Sequence, residues 1–550
     1  MEGGLYGVAG DMLESYVQRT ATSRLARYRR RFREFFAPRG LHGTVRNLTS
    51  VTEDIRGERE DHVDSRSRCK KVVDFIVGLK LEAFFFIYTL AYTVQYAASV
   101  NLMEAKTCTL ILNETQEICR DLEHHTKEMS QVRSISNLYM LYVSLVGFLP
   151  GAFVTLLVGS WCDTYGRFKI PMYVSILGIM IKVSGNLVTT VYMEAPVYYN
   201  MISAVPEGVF GGLPTVLMSL YTLAAASSPP ANRTTKFFLI QFAFILALPT
   251  GQLISALTYQ KSGLVPLFAA SLSLFAFSLL WVAFAIDDVS YSDESCPSMC
   301  RTQSTTAVEN PRHGITGGTF LQLFTRRHFF GSLRAVLARS MDVDRFRIPL
   351  LVLSVFLLVV NSQTSFIGYF YVKEKFHWTF SYYVIISSAF SLASVIVIAV
   401  LLLLFVRWMP TNQEYGLAII GIAGVGFQNV LHAASGSVGQ PLFFLGQGFG
   451  MLSNIAPACV RAHVSKLLPE DEHGRVFSVM ATCEALAPLL GRFVLWHLFG
   501  VSKHFFAGLS FVISVLFIVV PFVVLVYFWR KRNMEYHVLA EDCHVDEGRI

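Results

Sequence analysis

Long apolar segments alternate with shorter polar segments from about residue 80 onward. A helix that crosses a bilayer needs about 20 predominantly apolar residues, and twelve segments reach about that length. The pattern therefore predicts an all-α membrane protein with twelve transmembrane helices. The predicted spans cover approximately residues 81–100, 137–158, 170–191, 198–222, 237–258, 264–286, 348–371, 382–406, 415–434, 441–461, 476–498 and 506–529.

The amino-acid composition agrees with a chain that lies mostly in lipid. The mean hydropathy is +0.46, with 53% hydrophobic and 15% charged residues. Because charged residues make up about 25% of a typical soluble domain, the composition excludes a soluble fold. The sequence contains no zinc-binding, nucleophile-elbow or phosphate-loop motif, so we expect no enzyme activity, no cofactor and no metal site.

Polar segments divide the predicted spans into two groups of six. The chain then has five regions: a basic N-terminal segment, a first six-helix half, a linker, a second six-helix half and a tail. Their bounds are 1–74, 75–286, 287–347, 348–529 and 530–550.

Lys and Arg are concentrated in the N-terminal segment, in alternate connections and at the start of the tail. Because basic residues accumulate on the cytoplasmic side of membrane proteins, we predict that both termini are cytoplasmic. The basic segments would then meet anionic lipids of the inner leaflet, which we expect as partners in place of nucleic acid. The amphipathic part of the linker either lies on that leaflet or is a solvated tether.

The connection after the first span is predicted to face the exterior or the lumen of an organelle. Asn113-Glu-Thr115 is a glycosylation acceptor sequence, so Asn113 is predicted to carry a glycan. Cys108 and Cys119 flank this sequence, and the oxidising compartment permits a disulfide between them.

A short polar turn, Gly159-Ser-Trp-Cys-Asp163-Thr-Tyr-Gly166-Arg167-Phe-Lys169, joins the second and third predicted spans. Glycines let the backbone turn and let helices approach closely. Asp163 can face the positive end of a neighbouring helix, and Arg167 can answer it with a second charge. Such a cluster, made in one conformation and broken in another, would act as a gate; the alternative is an ordinary polar turn. The pattern resembles the signature between the second and third helices of major facilitator superfamily transporters.

A second set of residues, near the tenth and eleventh predicted spans, narrows the resemblance. The block runs through Arg461-Ala-His-Val-Ser-Lys, Glu-His-Gly-Arg-Val-Phe-Ser and Glu484-Ala-Leu-Ala-Pro. It resembles the corresponding region of the proton-coupled folate transporter family, solute carrier family 46. Glu82, thirteen residues before Gln95, fits the first helix of that family, although Ala83 stands where proline is usual. The resemblance covers about residues 75–530.

The resemblance implies a six-plus-six major facilitator architecture. It also implies a secondary active transporter that moves a small organic, often anionic, solute by alternating access, commonly in symport with protons. Arg461 matches an arginine that bears on substrate and proton coupling in the family. Gln241 and Asn361, however, stand near the positions of a fifth-helix acid and a seventh-helix histidine.

These two amides do not titrate in the physiological range, which argues against folate as the substrate and against the same proton route. Two other functions remain open. One is a facilitative carrier or exchanger without proton coupling, which Gln241 and Asn361 favour. The other is a transport-inactive receptor or scaffold of the same fold.

Several charges lie within predicted spans, where they tend to face a cavity or a partner. Glu207 is a candidate for proton handling or cation binding, or else a helix-end carboxylate near the outer surface. Lys182 either snorkels or pairs with Glu207 or Glu484. Arg492 follows Glu484 by eight residues on about the same helix face; the two either pair across the cavity with other helices or lock helices together. By analogy with the fold, Gln95 is expected to line the path.

The tail contains Tyr536-His-Val-Leu539, which matches the tyrosine-based sorting pattern read by adaptor complexes. An extended peptide can present Tyr536 and Leu539 to separate pockets. The motif predicts an endosomal or lysosomal membrane, whereas an inert tail would leave the plasma membrane as the expected location.

Overall fold

A computed structural model describes residues 78–115, 118–119, 126–230, 232–288, 326–337, 346–408, 414–469, 472–502 and 505–547. The basic N-terminal segment and most of the linker lie outside these ranges. The described residues form helices and connecting turns and contain no strand. The all-α fold class predicted from the sequence is therefore confirmed for this part of the chain.

The described part contains sixteen α-helices and one π-helical turn. In chain order they are α1 (Lys80–Lys106), the π-helical turn (Thr107–Ile111), α2 (Thr126–Tyr165), α3 (Lys169–Val191), α4 (Tyr198–Val209), α5 (Gly212–Ala226), α6 (Arg233–Ser262), α7 (Leu264–Ala285), α8 (Arg326–Leu337), α9 (Arg347–Ser362), α10 (Thr364–Phe376), α11 (Phe380–Trp408), α12 (Glu414–Val438), α13 (Gln440–Gly450), α14 (Ile455–Leu467), α15 (His473–Ser502) and α16 (Leu509–Glu547).

Twelve helical stretches in the described residues are long and apolar enough to cross a membrane, as the sequence predicts. We number them spans one to twelve: Lys80–Ile111, Gln131–Tyr165, Lys169–Val191, Tyr198–Ala226, Arg233–Ser262, Leu264–Ala285, Arg347–Phe376, Tyr382–Leu401, Glu414–Val438, Gln440–Leu467, His473–Ser502 and Leu509–Arg532. We call the ends of the spans next to Gly159–Lys169 the inner ends, the side predicted to be cytoplasmic. Most spans extend beyond the apolar segments because the helices continue into polar residues at their ends.

Spans four, seven and ten are each broken into two helices, whereas the sequence pattern predicts continuous ones. In span four the break falls at Phe210 and Gly211, and Gly211 has a φ of +89°. Only glycine adopts this left-handed conformation without a steric penalty. Span seven is broken at Gln363, and span ten over 451–454. Breaks of this kind within a membrane expose backbone groups that neighbouring protein must satisfy.

Spans two and four pack with their backbones in close contact. A Cβ atom at Gly208 would stand 2.7 Å from the carbonyl oxygen of Val146, and one at Gly151 would stand 3.1 Å from that of Gly211. Small residues at such contacts are typical of membrane helices, where close packing replaces the hydrophobic effect as the cause of association.

Contacts between the two halves join span two to span eleven, span four to span eleven, and span five to spans eight and ten. The linker contributes one described helix, α8, which packs against spans two and eleven. At the outer end of span one, the structure joins Cys108 and Cys119 by a disulfide with a Cα–Cα distance of 5.8 Å. Asn113 lies exposed within this loop.

The structure corrects the expectation of an extended tail. The helix of span twelve continues to Glu547, so Tyr536 and Leu539 lie on a helix. No proline or glycine occurs between Pro521 and Gly548, and without such a residue nothing local ends the helix. A peptide-binding adaptor would have to unwind this segment first.

Replacing Gly208 by alanine is expected to lower the midpoint of thermal unfolding. The added Cβ would meet the Val146 carbonyl oxygen at 2.7 Å, and overpacking of this kind costs about 1–3 kcal/mol. Gly426→Ala in span nine is the matched control, because nothing lies within 4 Å of its added Cβ. Fluorimetric unfolding of both purified variants measures the difference. A midpoint for Gly208→Ala equal to the parent's would contradict the close contact of spans two and four.

Candidate functional site

Asp163, at the inner end of span two, binds the first turn of span eleven in the opposite half. Its two carboxylate oxygens accept hydrogen bonds from the backbone N–H groups of Gly474, at 2.7 Å, and Arg475, at 2.8 Å. The first N–H groups of a helix have no partner within it and carry partial positive charge. The Arg475 Nε atom lies 3.9 Å from the same carboxylate, which is fully buried.

Two glycines permit this contact. A Cβ atom at Gly159 would stand 2.4 Å from Cβ of Ser478, and one at Gly474 would stand 2.4 Å from Oδ1 of Asp163. Gly166, with a φ of +67°, forms the turn that leads into span three. The glycine spacing of the motif therefore serves contact with span eleven as well as the turn itself.

Arg167 is exposed and forms no hydrogen bond or ion pair with the residues that the structure describes. The arginine nearest to Asp163 is Arg475, so the pairing expected from the sequence is wrong in its partner. The start of span three is instead bound by Asp288, which accepts from the backbone N–H groups of Phe168, at 2.8 Å, and Lys169, at 3.0 Å. Asp288 follows span six, and sequence reasoning had placed it in the linker.

A second contact between the halves lies where span five meets spans nine and ten. Glu414, at the start of span nine, accepts hydrogen bonds from the Thr234 hydroxyl, at 2.5 Å, and from the Lys466 ammonium group. Arg233 donates to the backbone carbonyl oxygen of Ser465 at 2.7 Å. Sequence reasoning missed Glu414 and Thr234, since no local pattern around either residue indicates this contact.

A buried charged cluster joins the halves farther from the inner ends. Arg461 donates to Glu484 at 2.8 Å and to Gln241 at 2.9 Å. The Tyr221 hydroxyl donates to Glu484 at 3.2 Å, and the Arg461 guanidinium lies 4.9 Å from the centre of the Tyr221 ring. Arg461 and Glu484 belong to the second half, whereas Gln241 and Tyr221 belong to the first. The structure therefore brings together three residues singled out from the sequence and adds Tyr221.

A second buried ion pair lies inside the first half, at the break in span four. Lys182 of span three contacts Glu207 at 2.6 Å, and both side chains are less than 10% exposed. Glu207 is therefore an interior carboxylate and not one at the outer surface. Its Oε1 atom has no hydrogen-bond partner among the described residues. Gly147 of span two faces the carboxylate, where a Cβ atom would stand 2.9 Å from Oε2.

Polar side chains of spans one, three and four continue outward from this pair. Asn186 accepts hydrogen bonds from Asn200, at 3.1 Å, and from Ser203, at 2.9 Å. Asn186 also donates to Ser99, at 3.3 Å, and Gln95 donates to the same hydroxyl at 2.8 Å. Gln95 is thus buried within the first half and does not line an open path.

Two other residues singled out from the sequence hold helices together within one half. Glu82 pairs with Lys236 of span five at 2.8 Å. Asn361 accepts a hydrogen bond from Asn429 of span nine at 2.8 Å and is buried. Neither geometry leaves these side chains directed at a ligand.

Arg492 of span eleven has a different environment. It is half-buried, and its Nε atom donates to the side-chain Oε1 atom of Gln363, at the break in span seven, over 3.0 Å. Its guanidinium lies 5.6 Å from the centre of the Phe366 ring. No carboxylate among the described residues forms an ion pair with it, and it does not pair with Glu484.

A cavity of about 280 Å³ lies between spans one and five, toward their outer ends. Its polar lining consists of uncharged side chains, namely Asn101, Gln252, Ser255, Tyr259 and Gln260. The described residues contain no group of three or more side chains arranged to hold a metal ion.

Comparison with known proteins identifies the family of this chain. The profile of the Major Facilitator Superfamily matches residues 83–492. A probable peptidoglycan muropeptide transporter of Drosophila melanogaster is 22% identical over 477 residues, which cover 83% of this chain and 87% of the relative. The proton-coupled folate transporter of Rattus norvegicus is 21% identical over 398 residues, which cover 72% of this chain and 79% of the relative.

Among solved structures, the human organic anion transporter MFSD10 (TETRAN) has a TM-score of 0.60 at 15% identity, with 82% of this chain and 98% of that chain covered. The proton:xylose symporter XylE has a TM-score of 0.54 at 13% identity, with 82% and 95% covered. These similarities show a shared fold. Because the superfamily profile spans most of the chain, the protein belongs to the Major Facilitator Superfamily, with relatives in solute carrier family 46.

Proposed function

We propose that the protein is a secondary transporter that carries a small organic anion by alternating access. The observation that carries this proposal is Arg492, a half-buried cation within span eleven that has no carboxylate partner among the described residues. An unpaired charge in a membrane is costly unless it serves a ligand or a water-filled path. The remaining donors of the guanidinium suit a carboxylate or phosphate group.

The contacts at the inner ends fit a conformation that is closed on the inner side. Asp163, Glu414 and Arg233 join the halves at their inner ends, and the Arg461–Glu484 cluster joins them farther in. All of these contacts would have to break for a path to open inward. In this proposal they hold one conformation closed on the inner side, and an anion is expected to reach Arg492 from the outer side while they are formed.

Arg461 fits a lock better than a substrate site. Its guanidinium is already bound by Glu484 and Gln241, so an anion would have to compete with a carboxylate held at hydrogen-bond distance. Protonation of Glu484 would weaken that competition, which offers a route for coupling proton movement to opening. Glu207 offers a second route for proton coupling, because its protonation would remove the charge that pairs with Lys182.

A facilitative carrier or exchanger is the second candidate function. The observation that favours it is Gln241, which binds Arg461 through a neutral amide at the position where the resemblance to the folate transporter family implies an acid. A transporter of this type would form and break the contact between Arg461 and Gln241 without releasing a proton.

We expect an anionic ligand to be found by screening metabolites for thermal stabilisation of the purified protein. Arg492→Ala should then weaken binding of that ligand roughly 10- to 100-fold, since a hydrogen bond to a charged group contributes about 1.5–3 kcal/mol. Arg492→Lys should keep part of the affinity because it keeps the charge. Arg530→Ala, at an exposed position near the inner end of span twelve, is the matched control. Unchanged affinity in Arg492→Ala would refute the anion site.

Asp163→Asn is expected to open the inner side, because the amide can accept at only one of its two terminal atoms. Thr482 is a suitable reporter: it is buried and donates to the Ala152 carbonyl oxygen across the halves at 3.2 Å. Maleimide labelling of Thr482→Cys should become several-fold faster when Asp163→Asn is added. Arg167→Ala is the control and should leave the rate near that of the parent. Equal acceleration by both changes would show that Arg167 also belongs to the lock.

If protons drive transport, neutralising the coupling carboxylate should flatten the dependence of uptake on a pH gradient. Uptake of the ligand into proteoliposomes would be measured for Glu207→Gln and Glu484→Gln, with Glu207→Gln combined with Lys182→Met to avoid an unpaired buried cation. We expect one of the two sites to lose the gradient dependence while exchange continues. Transport that ignores the gradient in the parent itself would favour the facilitative carrier.

A further inference from the structure

The linker helix α8 lies across the seam between the two halves. It packs against span two of the first half and span eleven of the second. Ser332 is fully buried and donates a hydrogen bond to the backbone carbonyl oxygen of Leu156 at 2.7 Å, and Val336 is 4% exposed. The helix is therefore docked by its own side chains and is not a solvated tether at this point.

The surface on which α8 packs adjoins the contact between Asp163 of span two and the first turn of span eleven. A Cβ atom at Gly331 would stand 3.0 Å from the hydroxyl of Ser160, and Ser160 immediately follows Gly159, which contacts span eleven. Any movement of span eleven away from span two would separate the two surfaces on which α8 rests. Contact of α8 with both spans therefore requires the closed inner side.

The opposite face of α8 is apolar and basic. Phe330 is 59% exposed and Leu333 is 36% exposed, and Arg334 is also exposed. The helix sequence, Arg-Arg-His-Phe-Phe-Gly-Ser-Leu-Arg-Ala-Val-Leu, contains three arginines and no acidic residue. Leu156, to which Ser332 is hydrogen-bonded, lies near the inner end of the apolar segment 137–158, so we expect the helix to lie at the depth of the lipid headgroups.

We propose that α8 is a binding surface for anionic lipids of the inner leaflet and that bound lipid holds the inner side closed. Exposed aromatic and aliphatic side chains beside basic ones are the composition with which interfacial helices bind anionic lipid. A ligand that binds one conformation in preference to another shifts the population toward it. Lipid bound to docked α8 therefore favours the closed state.

The effect on the lock rests on the proposed alternating access, whereas lipid binding itself does not. The two parts need separate measurements. Full-length protein carrying Thr482→Cys would be reconstituted in phosphatidylcholine vesicles, with and without added phosphatidylserine, and labelled with a membrane-permeant maleimide. The parent with Thr482 intact gives the background from native cysteines.

We expect phosphatidylserine to slow labelling of the introduced cysteine several-fold. Arg334→Glu should abolish most of that slowing, whereas Arg530→Glu, the same change at another exposed inner position, should retain it. Ser332→Leu should undock the helix and give fast labelling in both kinds of vesicle. Equal loss of the lipid effect in Arg334→Glu and Arg530→Glu would mean a general charge effect and would overturn the assignment to α8.

Lipid binding is measured independently by the unfolding midpoint in detergent with soluble short-chain phosphatidylserine or phosphatidylcholine. The parent should be stabilised by the serine lipid alone, and Arg334→Glu should not be. Selective stabilisation without any change in labelling would overturn the effect on the lock and leave the lipid site standing. No selective stabilisation would overturn the lipid site itself, whatever the proposed transport function proves to be.

Discussion

The buried carboxylate of Asp163 joins span two of the first half to span eleven of the second at their inner ends. Asp163 is bound by two backbone N–H groups at the start of span eleven, which have no other partner within their helix. This interaction requires the helices to touch, and Gly159 and Gly474 remove the side chains that would prevent it. The hydrogen bonds of Arg233 and Glu414 across the halves also require the halves to be close at this end. The packing of the linker helix α8 against spans two and eleven requires it as well.

Several of the charges buried within the spans form ion pairs with one another. Lys182 is matched by Glu207, Arg461 by Glu484 and Lys236 by Glu82, each at 2.6–2.8 Å. Pairing compensates for part of the cost of taking a charge out of water. Arg492, by contrast, donates to the side-chain amide of Gln363 and lies over an aromatic ring, and no carboxylate among the described residues pairs with it. This contrast, more than the presence of charge as such, distinguishes a candidate ligand site from the pairs that hold helices together.

Residues that shape their own turn were recognised from the sequence together with their role, whereas most residues that act through distant partners were recognised without those partners or not at all. Gly166 shapes a turn, and a short motif contains all that is needed to recognise it. Arg167 shared that motif, yet the arginine beside Asp163 is Arg475, more than three hundred residues later. Glu414 and Asp288 bind helix ends or side chains of other spans, and no local pattern around them indicated it.

The sequence by itself determined the twelve spans, the membrane class and the superfamily, because apolar length and short motifs are local properties of the chain. Only the tertiary structure decided which charges pair, where spans four, seven and ten break, and which side of the protein is closed. These outcomes depend on contacts between residues far apart in the chain, such as the 220 positions between Gln241 and Arg461. The length of an apolar segment determines that a helix lies in the bilayer. Which neighbouring helices it contacts is determined by packing and by hydrogen bonds, because an unsatisfied polar group is costly where the dielectric constant is low.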